Sequence, residues 1–175
     1  MKTSIALIGF MGTGKTAAGK AMAQRLCKEF VETDSLVEQK AGKTIAEIFQ
    51  QNSEIRFREL EIETVKDIAG KKNVVIACGG GVVLNKINID RLRKENIIVC
   101  LTASPRIILK RTNKDDSERP LLMTANRILN IQDLLRFRKP FYERSADITI
   151  DTTRFDIGEV VEKIIKKVKK NEGYN

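Results

Sequence analysis

The sequence predicts an α/β fold, a five-stranded parallel sheet covered by helices on both faces. Five short runs are spaced along the chain, at Ser4–Ile8, Phe30–Asp34, Asn73–Cys78, Ile97–Leu101 and Asp147–Asp151. Apolar runs of about four to eight residues suit strands buried on both faces. Between the runs, apolar residues recur at helical spacing, and strands that alternate with helices pair in parallel. Such sheets bind ligands beyond the carboxyl ends of their strands. In this chain the segment 9–16, Asp34, Gly79-Gly80-Gly81, Ala103-Ser104 and Thr152 all follow strands, so they are expected to share one rim.

Each connecting segment carries its own signals. After the first strand, Ala18, Ala21, Met22 and Leu26 fall on one helical face. Ser35 is expected to cap a helix over Leu36–Ala41, with Gly42 ending it. Thr44-Ile-Ala-Glu47 is a capping-box pattern, opening a short helix that buries Ile48 and Phe49. Asn52-Ser53 should break that helix, and Ser53 should cap a longer one with Phe57, Leu60, Val65 and Ile68 near one face and Gly70 at its end. A helix around Ile87–Lys94 precedes the fourth strand. Ser104-Pro105 reads as an N-cap followed by Pro at N1, and the helix it opens, through Ile107, Ile108 and Arg111, should stop near Thr112. Asn113–Pro120 is polar and unpatterned and reads as a mobile loop. A further helix carries Ile128, Leu134 and Leu135, and Pro140 should kink or end it. The last helix has Ile157, Val160, Val161, Ile164, Ile165 and Val168 on one stripe, leaving Lys163, Lys166, Lys167, Lys169 and Lys170 to solvent.

Composition narrows the function. At 175 residues, with no repeat or low-complexity linker, residues 1–175 suit a single domain with a substantial core. No apolar run approaches the ~20 residues of a membrane span, and no secretory h-region is evident, so the expected location is cytoplasmic, with no membrane partner. Cys27, Cys78 and Cys100 are scattered and odd in number, which favours free, mostly buried thiols. There is no histidine, so acid–base work falls to carboxylates or lysines. The net charge is +9. It is spread along the chain, with few aromatics and no RNA-type aromatic motif, which speaks against nucleic acid. An electropositive cleft for anionic small molecules accounts for part of it.

Gly9-Phe-Met-Gly-Thr-Gly14-Lys15-Thr16 fits the phosphate-binding pattern G-x-x-x-x-G-K-[ST]. At ordinary Gly frequencies of ~7% the full pattern arises by accident in about one chain per hundred or fewer. Its context fits as well, since a strand precedes it and a helix follows. Glycines let successive N–H groups point at one anion, and the helix N-terminus adds its dipole. Gly12, Thr13, Gly14, Lys15, Thr16 and Ala17 are therefore the candidate nucleotide contacts. Lys15 would reach the β/γ-phosphates, and the Thr16 hydroxyl would bind Mg²⁺.

A phosphate loop does not say what receives the phosphoryl group. Glu32 and Asp34 are two apart, and on a strand they would project to one side. One could hold Mg²⁺ through water, and the other could take the proton of a substrate hydroxyl. Gly79-Gly80-Gly81 permits close backbone approach and unusual φ/ψ, and could present N–H groups to a ligand. Glu61 lies three residues from Arg58 and could hold its side chain. Arg pairs with carboxylate bidentately, but sequence physics does not select Arg58 and Arg138 from the other arginines. Arg119 falls in the loop expected to move, where a closing arginine would supply charge to a transition state.

Taken together, Gly9–Thr16, Glu32-Thr-Asp34, Phe57-Arg-Glu-Leu-Glu61, Gly79–Gly81, Arg119-Pro-Leu-Leu122 and Arg138-Lys-Pro-Phe-Tyr142 resemble the shikimate kinases in order and spacing, nearly end to end. The resemblance implies a P-loop kinase fold like that of the nucleoside monophosphate kinases, with sheet order 2-3-1-4-5. It implies a substrate-binding region about 32–62 and a lid about 112–124. It also implies a monomeric enzyme, using ATP and Mg²⁺ to phosphorylate the 3-hydroxyl of shikimate on the route to chorismate. By the same resemblance Lys15, Asp34 and Arg119 are catalytic, with Asp34 contacting the substrate hydroxyls and acting as base. Arg58 and Arg138 clamp the shikimate carboxylate beside Gly79, Gly80 and Gly81. Arg111 packs on adenine, and Thr152 and Thr153 lie in the adenine loop. Thr16 and Glu32 serve the metal, although the family usually has Asp where this chain has Glu32. Cys78, before the triple glycine, raises the expectation of a thiol-sensitive site. Another small-molecule kinase of this fold, such as one for gluconate, is the competing reading; its resemblance fades after the phosphate loop.

Overall fold

A computed structural model describes residues 2–113 and 126–171. The chain runs β1 (Ser4–Gly9), α1 (Lys15–Arg25), β2 (Glu29–Glu32), α2 (Thr33–Ala41), α3 (Ile45–Ile68) and β3 (Val74–Ala77). A 3₁₀ turn (Val82–Leu84) follows, then α4 (Lys86–Glu95), β4 (Asn96–Thr102), α5 (Pro105–Thr112), α6 (Arg127–Ser145), β5 (Ile148–Asp151) and α7 (Ile157–Lys169). The strands form one sheet in the order β2-β3-β1-β4-β5, and every pairing is parallel. The predicted fold class and the strand order implied by the resemblance are both found.

Alternation along β1 explains why both faces must be covered. Ala6 and Ile8 pack into a core with Val65 and Ile68 of α3, Leu92 of α4, Ile108 of α5 and Ile131 of α6. Ile5 and Leu7 face the other way, into a core with Ala18 and Met22 of α1 and Val160, Val161 and Ile164 of α7. The apolar stripe of α7 is thus the seam on α1. A third cluster, Val37, Ile48, Phe57 and Leu60, joins α2 to α3 at the side of the sheet.

The sheet order reverses direction between β1 and β3. From β1 the chain crosses toward β2, whereas from β3 it passes over β1 to β4. Their carboxyl ends therefore open the crevice where such sheets bind ligands. The loop after β1 and the glycines after β3 meet there: a Cβ on Gly80 would lie 3.4 Å from Met11 N and 3.6 Å from Gly9 O.

Several local expectations change. β2 ends at Glu32 and α2 begins at Thr33. Asp34 is therefore in the first turn of a helix, not on a strand, and Ser35 does not cap that helix. The reason is Thr33, whose buried hydroxyl accepts the Gly79 N–H at 2.7 Å and ties the start of α2 to the end of β3. Ser53 does interrupt α3, with φ 84° and ψ 164°, and the two halves continue on either side of it. The Thr44–Glu47 capping box is present; Ile48 is buried and Phe49 is half-buried. Ser104 makes no side-chain cap; its N–H donates instead to Thr153 Oγ1 at 3.0 Å. Pro140 does not end α6, which runs on to Ser145. Among the described residues, no helix is long and apolar enough to cross a membrane. Cys78 and Cys100 are buried, while Cys27 is exposed.

Candidate active site

One cavity of about 1280 Å³ lies over the carboxyl ends of β1 and β3. Pockets for single small ligands run to roughly 300–1,000 Å³, so this one has room for two reactants. Its walls include Gly12, Gly14, Lys15, Thr16, Ala17, Glu32, Asp34, Arg58, Gly80, Gly81, Arg111 and Arg138. Sequence segments more than a hundred residues apart thus converge on one space. Arg119 and nearly all of the lid region 112–124 lie outside the described residues.

At one end is the phosphate loop. Gly14 sits at φ 92°, a left-handed conformation that a side chain would strain, and it delivers the chain into α1. Lys15 Nζ donates to Gly9 O and Phe10 O, each at 2.9 Å, and so lies across the loop. The Thr13 hydroxyl turns inward to Phe10 O at 2.8 Å. The Thr16 hydroxyl donates to Glu32 Oε1, and Ser35 donates to Glu32 Oε2 at 3.2 Å.

Arg111 and Thr152 brace this end from behind. Arg111 Nη1 donates to Gly12 O at 3.2 Å and to Thr152 Oγ1 at 3.0 Å, and Nη2 donates to Thr152 O at 2.8 Å. The buried Thr152 hydroxyl also lies 3.1 Å from Thr13 O and 3.0 Å from Thr102 O. It is a girder between β4, β5 and the loop, and its side chain does not line the cavity. Phe155, Asp156 and Ile157 do. Thr152 and Thr153, expected in the adenine loop, are not among the residues that line the cavity.

The opposite end is built from ionisable side chains. Asp34 Oδ1 is buried and has no hydrogen-bond partner. Burial pushes the Asp34 carboxyl above its ordinary value; Lys15 and Arg58 oppose this, and Glu32 and Glu38 add to it. Glu61 is fully buried. Burial raises it to about 7, outweighing its ion pair with Arg58 at 3.1 Å. Arg58 is desolvated too, but Glu61 and Glu54 more than restore its charge.

The triple glycine is the hinge of this arrangement. A Cβ on Gly79 would overlap Asp34 Oδ1 and lie 3.1 Å from Glu61 Oε1. A Cβ on Gly81 would overlap the Arg58 guanidinium. On Gly80 it would sit 3.7 Å from Arg138 Nη1. The turn is therefore glycine for space, and Arg58 and Arg138 flank it. None of the three has a positive φ, and the Gly79 N–H is taken by Thr33, so the expected unusual backbone and a free Gly79 donor are not found. Arg138 is buried, with its guanidinium 5.6 Å from the Phe10 ring centroid and its Nε without a partner.

Three supporting residues are not marked by the sequence as parts of the site. Tyr142 donates its hydroxyl to Gly80 O at 2.6 Å, and its i,i+4 spacing from Arg138 on α6 was the available signal. Phe49 and Phe57, with ring centroids 5.2 Å apart, supply an apolar wall. The expected thiol sensitivity of Cys78 has no support: burial drives its thiol far above the ordinary range, which leaves little reactive thiolate.

Comparisons with known proteins agree with this geometry. The shikimate kinase family model matches residues 11–169. A shikimate kinase from Thermodesulfovibrio yellowstonii is 48% identical over 164 residues, covering 94% of each chain. The structure of a shikimate kinase from Acinetobacter baumannii in complex with shikimate superposes with a TM-score of 0.93 at 34% identity, covering 98% of this chain and 96% of that one. A gluconokinase from Sinorhizobium meliloti gives a TM-score of 0.58 at 16% identity over 97% of this chain and 94% of its own, a likeness of fold alone. The chain belongs to the shikimate kinase family.

Proposed function

We propose that this protein transfers the γ-phosphoryl group of ATP to the 3-hydroxyl of shikimate, giving shikimate 3-phosphate and ADP in the shikimate pathway. The observation that carries the reading is the cavity with a phosphate loop at one end and, at the other, a carboxylate with a buried, unpartnered oxygen beside a glycine turn that two arginines flank. In this reading the enzyme is a cytoplasmic monomer.

The γ-phosphate lies between the phosphate loop and Asp34. The shikimate carboxylate pairs with Arg58 and Arg138, which sets its 3-hydroxyl toward Asp34. The hydroxyl oxygen forms a bond to the γ-phosphorus as the β–γ bridging bond breaks, and ADP leaves. Asp34 receives the hydroxyl proton. Its raised affinity for protons brings it nearer the working pH, which suits a general base. Lys15 moves from the loop carbonyls to the phosphates, and Arg119 adds charge from the lid; most of the rate comes from such positioning and charge.

Mg²⁺ keeps several waters and relies on substrate phosphates plus one or two protein groups. Here the Thr16 hydroxyl, which donates to Glu32 Oε1, and the Glu32 carboxylate would be those groups. When bound, Mg²⁺ neutralises the charge on the β- and γ-phosphates.

ADP release, coupled to NADH oxidation, tests the reading with shikimate and gluconate assayed side by side. The expected result is Mg²⁺-dependent release with shikimate and background with gluconate. Release with gluconate alone, or with neither, overturns it.

A further inference from the structure

Arg58 holds two carboxylates, and they differ. Its Nη1 donates to Glu61 Oε2 at 3.1 Å, while Nε and Nη2 both donate to Glu54 Oε1, at 3.2 and 2.9 Å. Three of the five N–H donors of the guanidinium are therefore engaged by the protein itself. The Glu61 side chain is fully buried and cannot leave, whereas that of Glu54 is 46% exposed.

Glu54 is also poorly anchored. Both Arg58 donors share one of its oxygens, so the parallel two-oxygen fork of a strong Arg–carboxylate pair is not made. Ser53 just before it sits at φ 84° and ψ 164°, a region that only glycine occupies without strain. That break makes Glu54 the first residue of the second half of α3, in a terminal turn where opening is cheap. The Nε/Nη2 edge is a face that a carboxylate ligand would use.

We propose that Glu54 is a placeholder for the substrate's acid group. It occupies the Nε/Nη2 edge of Arg58 before substrate binds and is displaced by a carboxylate that offers two oxygens. The role rests on the proposed function above. It holds Arg58 aimed at Gly81 and weakens binding of ligands whose acid group must displace it, whereas ligands whose acid group is absent or masked leave it in place. Glu54 is a positioning residue and touches no reacting atom.

Glu54→Gln removes the charge and keeps the shape. The expected result is a fall in shikimate KM of about two- to fivefold, with kcat moving less than KM. By calorimetry the Kd for shikimate should fall, while that for its methyl ester should not. Glu59→Gln removes a charge farther along α3 that pairs with Arg56 at 2.9 Å, and it should leave shikimate KM in place. An unchanged or higher KM in Glu54→Gln overturns the proposal, as does an equal fall in Glu59→Gln or for the ester. These results are read against a wild type that turns over shikimate. A wild type that does not overturns the proposed function itself, whereas a working wild type with KM unmoved in Glu54→Gln overturns only the placeholder.

Discussion

The two ends of the cavity solve the same problem, holding an anionic reactant, by different means. The phosphate end is one contiguous stretch, Gly9 to Thr16, shaped by backbone conformation and braced by hydrogen bonds from Thr13, Thr152 and Arg111. The acceptor end is assembled from α2, α3, the turn after β3 and α6, and it buries Asp34 Oδ1, Glu61 Oε1 and Arg138 Nε without partners. A backbone cradle is complete as soon as the loop folds. A side-chain cradle keeps desolvated charge in waiting, and buried groups in that state are costly. The acceptor end is therefore where single atoms decide most.

Asp34→Asn is the sharpest way to break that contrast. It removes the base and leaves the shape, so kcat should drop by about 10²–10⁴-fold, while the KM for ATP stays near wild type. Replacing a buried carboxyl whose charged form is disfavoured should leave thermal stability unchanged or higher. Steady-state kinetics at fixed Mg²⁺ check the first point, and a melting curve checks the second. A kcat near wild type would remove Asp34 from the proton transfer.

The glycine turn sharpens the comparison at a smaller scale. Gly79→Ala drives a methyl group onto Asp34 Oδ1 and against Glu61, and a displacement near 1 Å at a reacting group costs about 10²-fold in kcat/KM. Gly80→Ala meets nothing nearer than 3.4 Å and should cost far less. Equal losses in the two variants would mean that the turn serves flexibility and not clearance around Asp34.

This difference also explains what the sequence could reveal. The phosphate end was legible because its chemistry is written in consecutive residues. The parallel sheet was equally clear, because apolar runs and helical stripes are local patterns, whereas its strand order came only through the family resemblance. Arg58 and Arg138 were legible only through family resemblance, since nothing local separates them from other arginines. Glu61 was visible as a partner for Arg58, but its burial and its raised proton affinity arise from packing that no spacing encodes. Asp34 does line the cavity, but not as a strand residue two along from Glu32: Thr33 starts a helix that turns Asp34 toward Gly79.

Glu61 gives a pH test of the acceptor end. Its carboxyl rises from 4.5 to about 7 through burial, opposed by Arg58 and assisted by Asp34, with Arg138 also lowering it. Between those values the folded state holds a proton that the unfolded state has released. Stability from this group is thus full below about 4.5 and lost as pH climbs through about 7. Glu61→Gln should flatten that slope, with a difference on the order of 1–3 kcal/mol across the window. Urea denaturation of wild type and variant at several pH values provides the readout. Parallel curves would mean that Glu61 stays ionised in the fold, held by Arg58 despite its burial.

Glu32→Asp carries the smallest expected effect, and it falls on the residue that joins the two ends. One Glu32 oxygen accepts from Thr16 on the phosphate side, and the other accepts from Ser35 at the start of α2. A side chain one methylene shorter should lose the Thr16 contact, and a bridging water replaces a direct hydrogen bond at little cost. Turnover is then expected to stay within about threefold, with the Mg²⁺ half-saturation moving by a similar factor. Glu32 occupies the N-cap of α2 and makes no capping bond there. Asp is favoured at that position, so the variant should melt higher while binding Mg²⁺ differently. A Mg²⁺ titration beside a melting curve separates the two effects. A tenfold loss of kcat would show that the Glu32–Thr16 contact sets the metal directly, and the phosphate end would then depend on a carboxylate as much as the acceptor end does.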